Sequence, residues 1–291
     1  MKPTDNGLGA EEGRCSMSHP VPRAFECHVV LITGGTKGIG LATALAFAKH
    51  GARCILTHRW GSADEEEIRQ RFRAIEAPEP LILEADAGCD EDTAMLVETV
   101  RKRHASIDTV VSGVAFAQVV RELDEYSRRG LTRSIEYTAW PMIELTRKIH
   151  ESFGRYPRYV IGLSSGGPDQ FYANYDFAAA AKSVLETLCR YLAYRLRDED
   201  VRVNVVRARF VRTESLTATL GEEFVPFVER YDEGLFLAPE EVANAVLALA
   251  SGLMDGVRGQ VLMIDRGSTF SDNLMRMYDE RVIRSVVFQK E

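Results

Sequence analysis

The densest chemistry in the chain lies in eight residues, Thr33-Gly34-Gly35-Thr36-Lys37-Gly38-Ile39-Gly40, between a short β-branched run and an Ala-rich, helix-favouring segment. Gly34, Gly38 and Gly40 make a G-x-x-x-G-x-G spacing. Glycines there allow positive φ and let the backbone approach a pyrophosphate closely, while the start of the following helix attracts its charge. The same composition also makes a ligand-free strand-to-helix turn, but its placement favours a dinucleotide site that includes Thr36 and Ile39. Cofactor choice turns on charge at the adenosine ribose. Thr57-His58-Arg59 stands where an acid would hold a 2′-hydroxyl, and the glycine turn carries Lys37. Each cation alone is an ordinary solvated residue; together, Lys37 and Arg59 suit a 2′-phosphate, and hence NADPH. Asp86, past the third strand, is placed to meet the adenine amino group or to serve as an acid at a helix N-terminus.

Those residues need elements to hold them. Val29–Thr33, Arg53–Thr57, Leu81–Glu84, Thr109–Val111, Arg158–Leu163, Val201–Val206 and Gln260–Ile264 read as strands. Between them, Leu41–Lys49, Ala63–Ile75, Glu91–His104, Asp176–Leu196 and Pro239–Leu253 read as helices. The Val201–Val206 alternation predicts a strand whose far face meets solvent or ligand. Alternating strands and helices specify α/β architecture, a Rossmann-type doubly wound parallel sheet in a single domain, because parallel neighbours need crossover helices. The expected organisation is a flexible N-terminal arm over 1–26, an NADP-binding domain over 27–267 and a polar, partly amphipathic C-terminal tail over 268–291.

With Ser164-Ser165 ending the fifth strand, and Tyr175 and Lys182 opening the next helix, residues 27–267 resemble a short-chain dehydrogenase/reductase. Commoner members separate their catalytic Tyr and Lys by three residues. Here that position is Ala178, and Tyr175-x6-Lys182 is instead similar to the enoyl-acyl-carrier-protein reductase branch. Asn174-Tyr175, Arg190-Tyr191-Leu192-Ala193, Val201-Arg202-Val203-Asn204 with Arg212-Thr213, and Val111-Ser112-Gly113-Val114-Ala115-Phe116-Ala117 lean the same way, although the glycine turn is the ordinary family form. The resemblance implies that Lys182 holds the nicotinamide ribose, Tyr175 donates a proton, Ser165 assists it and Ser112 borders the cofactor. Tyr172 competes with Tyr175 as donor, and a serine at a strand end is also a common cap. Along a helix, seven residues advance about 10 Å against about 6 Å for four. The wider spacing suits conjugate reduction, in which hydride enters at Cβ and charge develops on a thioester oxygen two carbons away.

Two positions depart from the resemblance. Ala208-Arg209, preceded by Arg207, replaces a Pro-Gly pair that lies against the nicotinamide, and Glu136 stands at the place of a catalytic Asn. Strand alternation puts Arg207 and Arg209 on one face, where an anion of the substrate, carrier arm or cofactor, or an acid such as Glu136, would relieve their repulsion. A solvated surface position is the other reading of Arg209.

The remaining composition narrows the class. The chain has 291 residues, 45% hydrophobic and 27% charged, with 36 Lys plus Arg against 43 Asp plus Glu for a net −7. That argues against a nucleic-acid surface, and no apolar run approaches the roughly 18–20 residues of a membrane span. Residues 1–25 lack a signal-peptide pattern. Cys15, Cys27, Cys54, Cys89 and Cys189 are odd in number and widely spaced, so neither a disulfide framework nor a metal site is expected, and the setting is cytoplasmic. The expected substrate is a small-molecule or carrier-bound acyl compound, and the resemblance implies a homo-oligomer, tetramer or dimer. Three activities fit: an NADPH-dependent enoyl-thioester reductase, an NADPH-dependent keto reductase, or a non-catalytic NADP-binding protein.

Overall fold

The computed structural model describes residues 25–59, 61–230, 233–272, 274, 275 and 278. Seven strands, β1 (Val29–Thr33), β2 (Arg53–His58), β3 (Leu81–Glu84), β4 (Thr109–Ser112), β5 (Tyr159–Ser165), β6 (Arg202–Ala208) and β7 (Val261–Ile264), form one parallel sheet. Their order is β3-β2-β1-β4-β5-β6-β7, so the winding reverses between β1 and β4. In such a sheet a crevice opens at the carboxyl ends of the strands flanking that point.

Alternation along β1 builds both faces of the core. Val30 and Ile32 join Leu41, Ala44 and Phe47 of α1 (Gly38–Lys49) and Phe72 of α2 (Glu65–Ala74) on one side. Val29 and Leu31 meet Leu96, Val97 and Val100 of α3 (Asp90–Arg101) on the other. Two further helices, α4 (Arg128–Thr138) and α5 (Trp140–Phe153), follow β4, and α6 (Asp176–Arg195) packs on β5, β6 and α4. After β6 come two short helices, α7 (Glu214–Leu220) and α8 (Phe224–Glu229), and then α9 (Pro239–Ala250), which closes the α1 face with Val242, Val246 and Leu249.

Three expectations are corrected. The far face of β6, expected to meet solvent or ligand, packs inside the protein, since all seven of its residues are buried. Its polar side chains find internal partners: Asn204 donates to the Val257 carbonyl at 2.7 Å and accepts from the Gln260 N–H at 3.0 Å, and Arg202 pairs with Asp255 at 2.9 Å. Phe25 is buried edge-on against Phe47, 5.0 Å between ring centroids, so packing begins ahead of residue 27. β6 runs on through Arg207 and Ala208, two residues past its expected end at Val206, while β5 closes on Ser164-Ser165 as the placement of that pair implied. The arm over 1–24 and the tail from 279 lie outside the described residues. Cys27, Cys54, Cys89 and Cys189 are unpaired thiols, and among the described residues no cluster has metal-ligand chemistry and no helix is long and apolar enough to cross a membrane.

Candidate active site

A cleft of about 1070 Å³ opens at the carboxyl ends of the strands and is lined by the glycine turn, Arg59, Asp86, Gly113 to Val119, Ser165, Tyr175 and Lys182. The turn is built as its sequence requires. Gly34 and Gly38 have φ of +64° and +49°, and a Cβ on Gly40 would lie 2.2 Å from the Gly34 carbonyl oxygen, a distance no side chain tolerates. Lys37 caps α1 from extended backbone, and its ammonium is 3.4 Å from Glu214, the first residue of α7. Thr36 and Ile39 border the same cleft. This cradle fits a dinucleotide pyrophosphate, with backbone N–H groups at the start of α1 and no Cβ in the way.

At the other end of the turn, Arg59 and Asp86 meet each other. The guanidinium is 2.7 Å from the Asp86 carboxylate and donates to the Tyr137 hydroxyl at 2.5 Å, while Tyr137 donates to Asp86 at 3.0 Å. Asp86 therefore orients Arg59 and also accepts from the Gly88 N–H at 3.0 Å. Ser112 departs from its expected place: it is 1% exposed, its hydroxyl is buried without a partner among the described residues, and Gly113 to Ala117 reach the cleft instead.

The candidate chemical groups converge on the β5 end. Tyr175 is the N-cap of α6, not a residue within the helix, and follows Asn174, whose φ of +62° turns the chain into the helix start. Its hydroxyl donates to Ser165 Oγ at 3.0 Å. The ring lies against Gly167, where a Cβ would be 2.8 Å from it, so glycine is needed for that orientation. Burial pushes the Tyr175 pKa above its usual value, and the Ser165 hydrogen bond offsets part of that. Tyr172 lines the same cleft but is stacked on Phe210 at 5.2 Å, with its hydroxyl 3.5 Å from Gln170 and not on Ser165. Burial raises its pKa too, against the pull of the Arg209 charge. Lys182 is buried, donates to the Leu163 carbonyl at 2.6 Å, and has its pKa lowered by desolvation to about 8.

Behind this group lies an arrangement that the sequence reading did not anticipate. Arg207 and Glu186, 6% and 2% exposed, form a two-pronged ion pair in which Arg207 Nε donates to Glu186 Oε1 at 2.8 Å. Ser164 donates to the same oxygen at 2.7 Å, and Asp169 takes a second edge of the guanidinium. The anion that compensates Arg207 is thus internal and comes from α6. Glu136 is exposed on α4, whose buried residues are Gly130, Ser134 and Thr138, so it neither neutralises an arginine at the cleft nor stands at a catalytic position. Thr138 instead ties the cleft wall, accepting from the Phe116 N–H at 3.3 Å. Arg207 and Arg209 also part company. Arg209 lies beyond the end of β6, lines the cleft, and donates to Ser268 Oγ at 2.8 Å. One signal was available for Glu186: it follows Lys182 by four residues on one helix face.

This geometry has counterparts among known proteins. Residues 34–269 match the family model described as Enoyl-(Acyl carrier protein) reductase. The chain belongs to this enoyl-(acyl carrier protein) reductase family. It is accordingly a member of the short-chain dehydrogenase/reductase oxidoreductases, whose nicotinamide cofactor the glycine cradle fits. Similar relatives include an enoyl-[acyl-carrier-protein] reductase [NADH], FabI, of Enterococcus faecalis, 24% identical over 82% of this chain and 95% of the relative. Another is the [NADPH] FabI of Staphylococcus aureus, 25% identical over 82% of this chain and 95% of that one. Among solved structures, levodione reductase superposes with a TM-score of 0.76 at 20% identity, covering 85% of this chain and all of that one. That last likeness is one of fold.

Proposed function

We propose that this family member is an NADPH-dependent reductase of an enoyl thioester, carried on acyl carrier protein or coenzyme A, in fatty-acid, polyketide or related specialised metabolism. One observation supports the reading: Tyr175 borders the cleft with its hydroxyl hydrogen-bonded to Ser165, while Ala178, where commoner members hold their donor, offers no proton. Lys37 and Arg59 would hold a 2′-phosphate and Lys182 the nicotinamide ribose. When bound, NADPH supplies the hydride. Tyr175 remains protonated at neutral pH, since burial raises its pKa, and gives its proton to the enolate oxygen formed on the thioester. Ser165 fixes the direction of that hydroxyl. The Lys182 ammonium, fastened to Leu163, keeps a positive charge beside the ribose site below about pH 8.

The Ser165–Tyr175 pair also suits a second reading, keto reduction, because two hydroxyls side by side can share one carbonyl oxygen. NADPH oxidation measured with crotonyl and acetoacetyl thioesters separates the two. Turnover of the crotonyl thioester is expected; turnover of the acetoacetyl thioester alone selects keto reduction. Binding of NADPH with neither turned over leaves a non-catalytic NADP-binding protein. The reading includes a cytoplasmic homo-oligomer, tetramer or dimer, supported by Tyr191 and Tyr194 standing exposed on the outer face of α6.

A further inference from the structure

Arg209 is a half-buried cation that lines the reacting end of the cleft. Ala208 is the register partner of Ser165, so Arg209 stands one residue beyond the level of the Ser165 hydroxyl. Its guanidinium lies over the Phe210 ring at 5.2 Å, and Phe210 in turn stacks on Tyr172, whose ring is 5.7 Å from that of Tyr175. Nη1 donates to Ser268, while Nε is buried with no partner among the described residues. Four other cations at or beside the cleft have carboxylates of their own: Lys37 pairs with Glu214, Arg59 with Asp86, Arg207 with Glu186 and Asp169, and Arg212 with Glu229. Arg209 has none within ion-pair distance among the described residues. Asp265 feels its charge, but Asp265 accepts from the Gly267 and Thr269 N–H groups. A half-buried guanidinium on an aromatic shelf retains its donors and has shed part of its water, the condition in which an oxyanion is bound well.

We propose that Arg209 anchors a carboxylate-binding subsite, so that the substrate bears a carboxylate a few bonds from the carbon that takes the hydride. The inference rests on the enoyl-reductase reading for the rest of the substrate. A phosphate is the other oxyanion that suits a guanidinium, and a thioester substrate on coenzyme A or a carrier supplies one. The pantetheine arm, however, holds its phosphate far from the thioester, whereas Arg209 stands beside the level of Ser165. Its neighbours Phe210 and Tyr172 offer flat walls for the intervening carbons.

The test is titration calorimetry of the full chain with NADP⁺ present, comparing glutaryl- and butyryl-N-acetylcysteamine, saturated thioesters that differ in a terminal carboxylate. The wild type is expected to bind the glutaryl compound at least tenfold more tightly. In Arg209→Met that preference falls to about one, and Arg209→Lys, which keeps the charge but not the fork, retains part of it. Equal affinities in the wild type, or a preference that survives in Arg209→Met, overturn the proposal. So does a gain found only with butyryl-coenzyme A and lost in Arg209→Met, which assigns Arg209 to the arm's phosphate. Far-ultraviolet circular dichroism of each variant confirms its fold. Because these affinities are read without turnover, the proposal and the enoyl-reductase reading fail on different measurements, the latter on crotonyl-thioester reduction.

Discussion

Replacing Arg207 by Met would remove the guanidinium that holds Glu186, leaving a carboxylate 2% exposed with the Ser164 hydroxyl as its remaining hydrogen-bond donor. Removing one member of a buried pair costs about 3–5 kcal/mol, because the remaining charge keeps its desolvation penalty and loses its attraction. For a domain of this size each kcal/mol corresponds to roughly 2–4 °C, so Arg207→Met should lower Tm by roughly 6–20 °C. The full ion pair has a far smaller net worth, since desolvation and attraction nearly cancel. The double variant Arg207→Met with Glu186→Leu should therefore recover most of the loss. Urea denaturation followed by circular dichroism, at one protein concentration for all variants, measures both quantities. A single variant within about 1 kcal/mol of wild type would show that Glu186 is not held as a buried charge. A double variant as unstable as the single would show that packing, not charge, dominates at this position.

Tyr175→Phe keeps the ring against Gly167 and removes the hydroxyl, so kcat should fall roughly 10²-fold with NADPH affinity near wild type, whereas Tyr172→Phe should change kcat little. Stopped-flow turnover and fluorescence titration distinguish them. Arg59→Ala should weaken NADPH at least tenfold, about 1.4 kcal/mol, and leave NADH nearly unchanged; equal weakening of both would remove Arg59 from the 2′-phosphate site. Lys182 has a folded pKa near 8, below its usual value of 10.5, so between those values the unfolded chain binds the extra proton and stability rises with pH. Relative to Lys182→Met, the wild type should gain up to about 3 kcal/mol over that window in urea melts, and parallel profiles would contradict a desolvated lysine.

All seven strands lie within two residues of their sequence-derived ends, because β-branched runs buried inside a sheet leave little ambiguity. Of the two helices between β4 and β5, α5 carried a readable apolar period in Met142, Leu145 and Ile149, whereas α4 was not legible for an equally physical reason. The residues that α4 buries are Gly130, Ser134 and Thr138, spaced four apart. A stripe of small and hydroxyl residues gives no apolar period, so its arginine-rich surface reads as a loop. Tyr137 and the Thr138 tie to the cleft wall were hidden with it. β6 misled in the opposite direction. Its alternation of Arg202 and Asn204 with valines looks like a face open to solvent or ligand, yet both side chains, and Arg207 beyond that alternation, find internal partners. Local pattern reports polarity; it does not report whether another element supplies the complementary group. The glycine turn and the Tyr175/Lys182 spacing were readable because turn geometry and helix rise are local constraints.

The placement of Tyr175 at the N-cap of α6 bears on how such a scaffold diversifies. Lys182 is fixed by the helix and by the Leu163 carbonyl, whereas the direction of Tyr175 is set by the ten-residue connection from Ser165, with Gly167 beneath the ring and Asn174 turning the chain. Tyr175, the proposed proton donor, and Lys182 are thus positioned by separable parts of the chain. Exchange or lengthening of that one loop would re-aim the donor while leaving sheet, cofactor cradle and lysine untouched. Evolution, or an engineer, can approach neighbouring reductions by editing that single connection, provided Asp169 keeps its hold on Arg207.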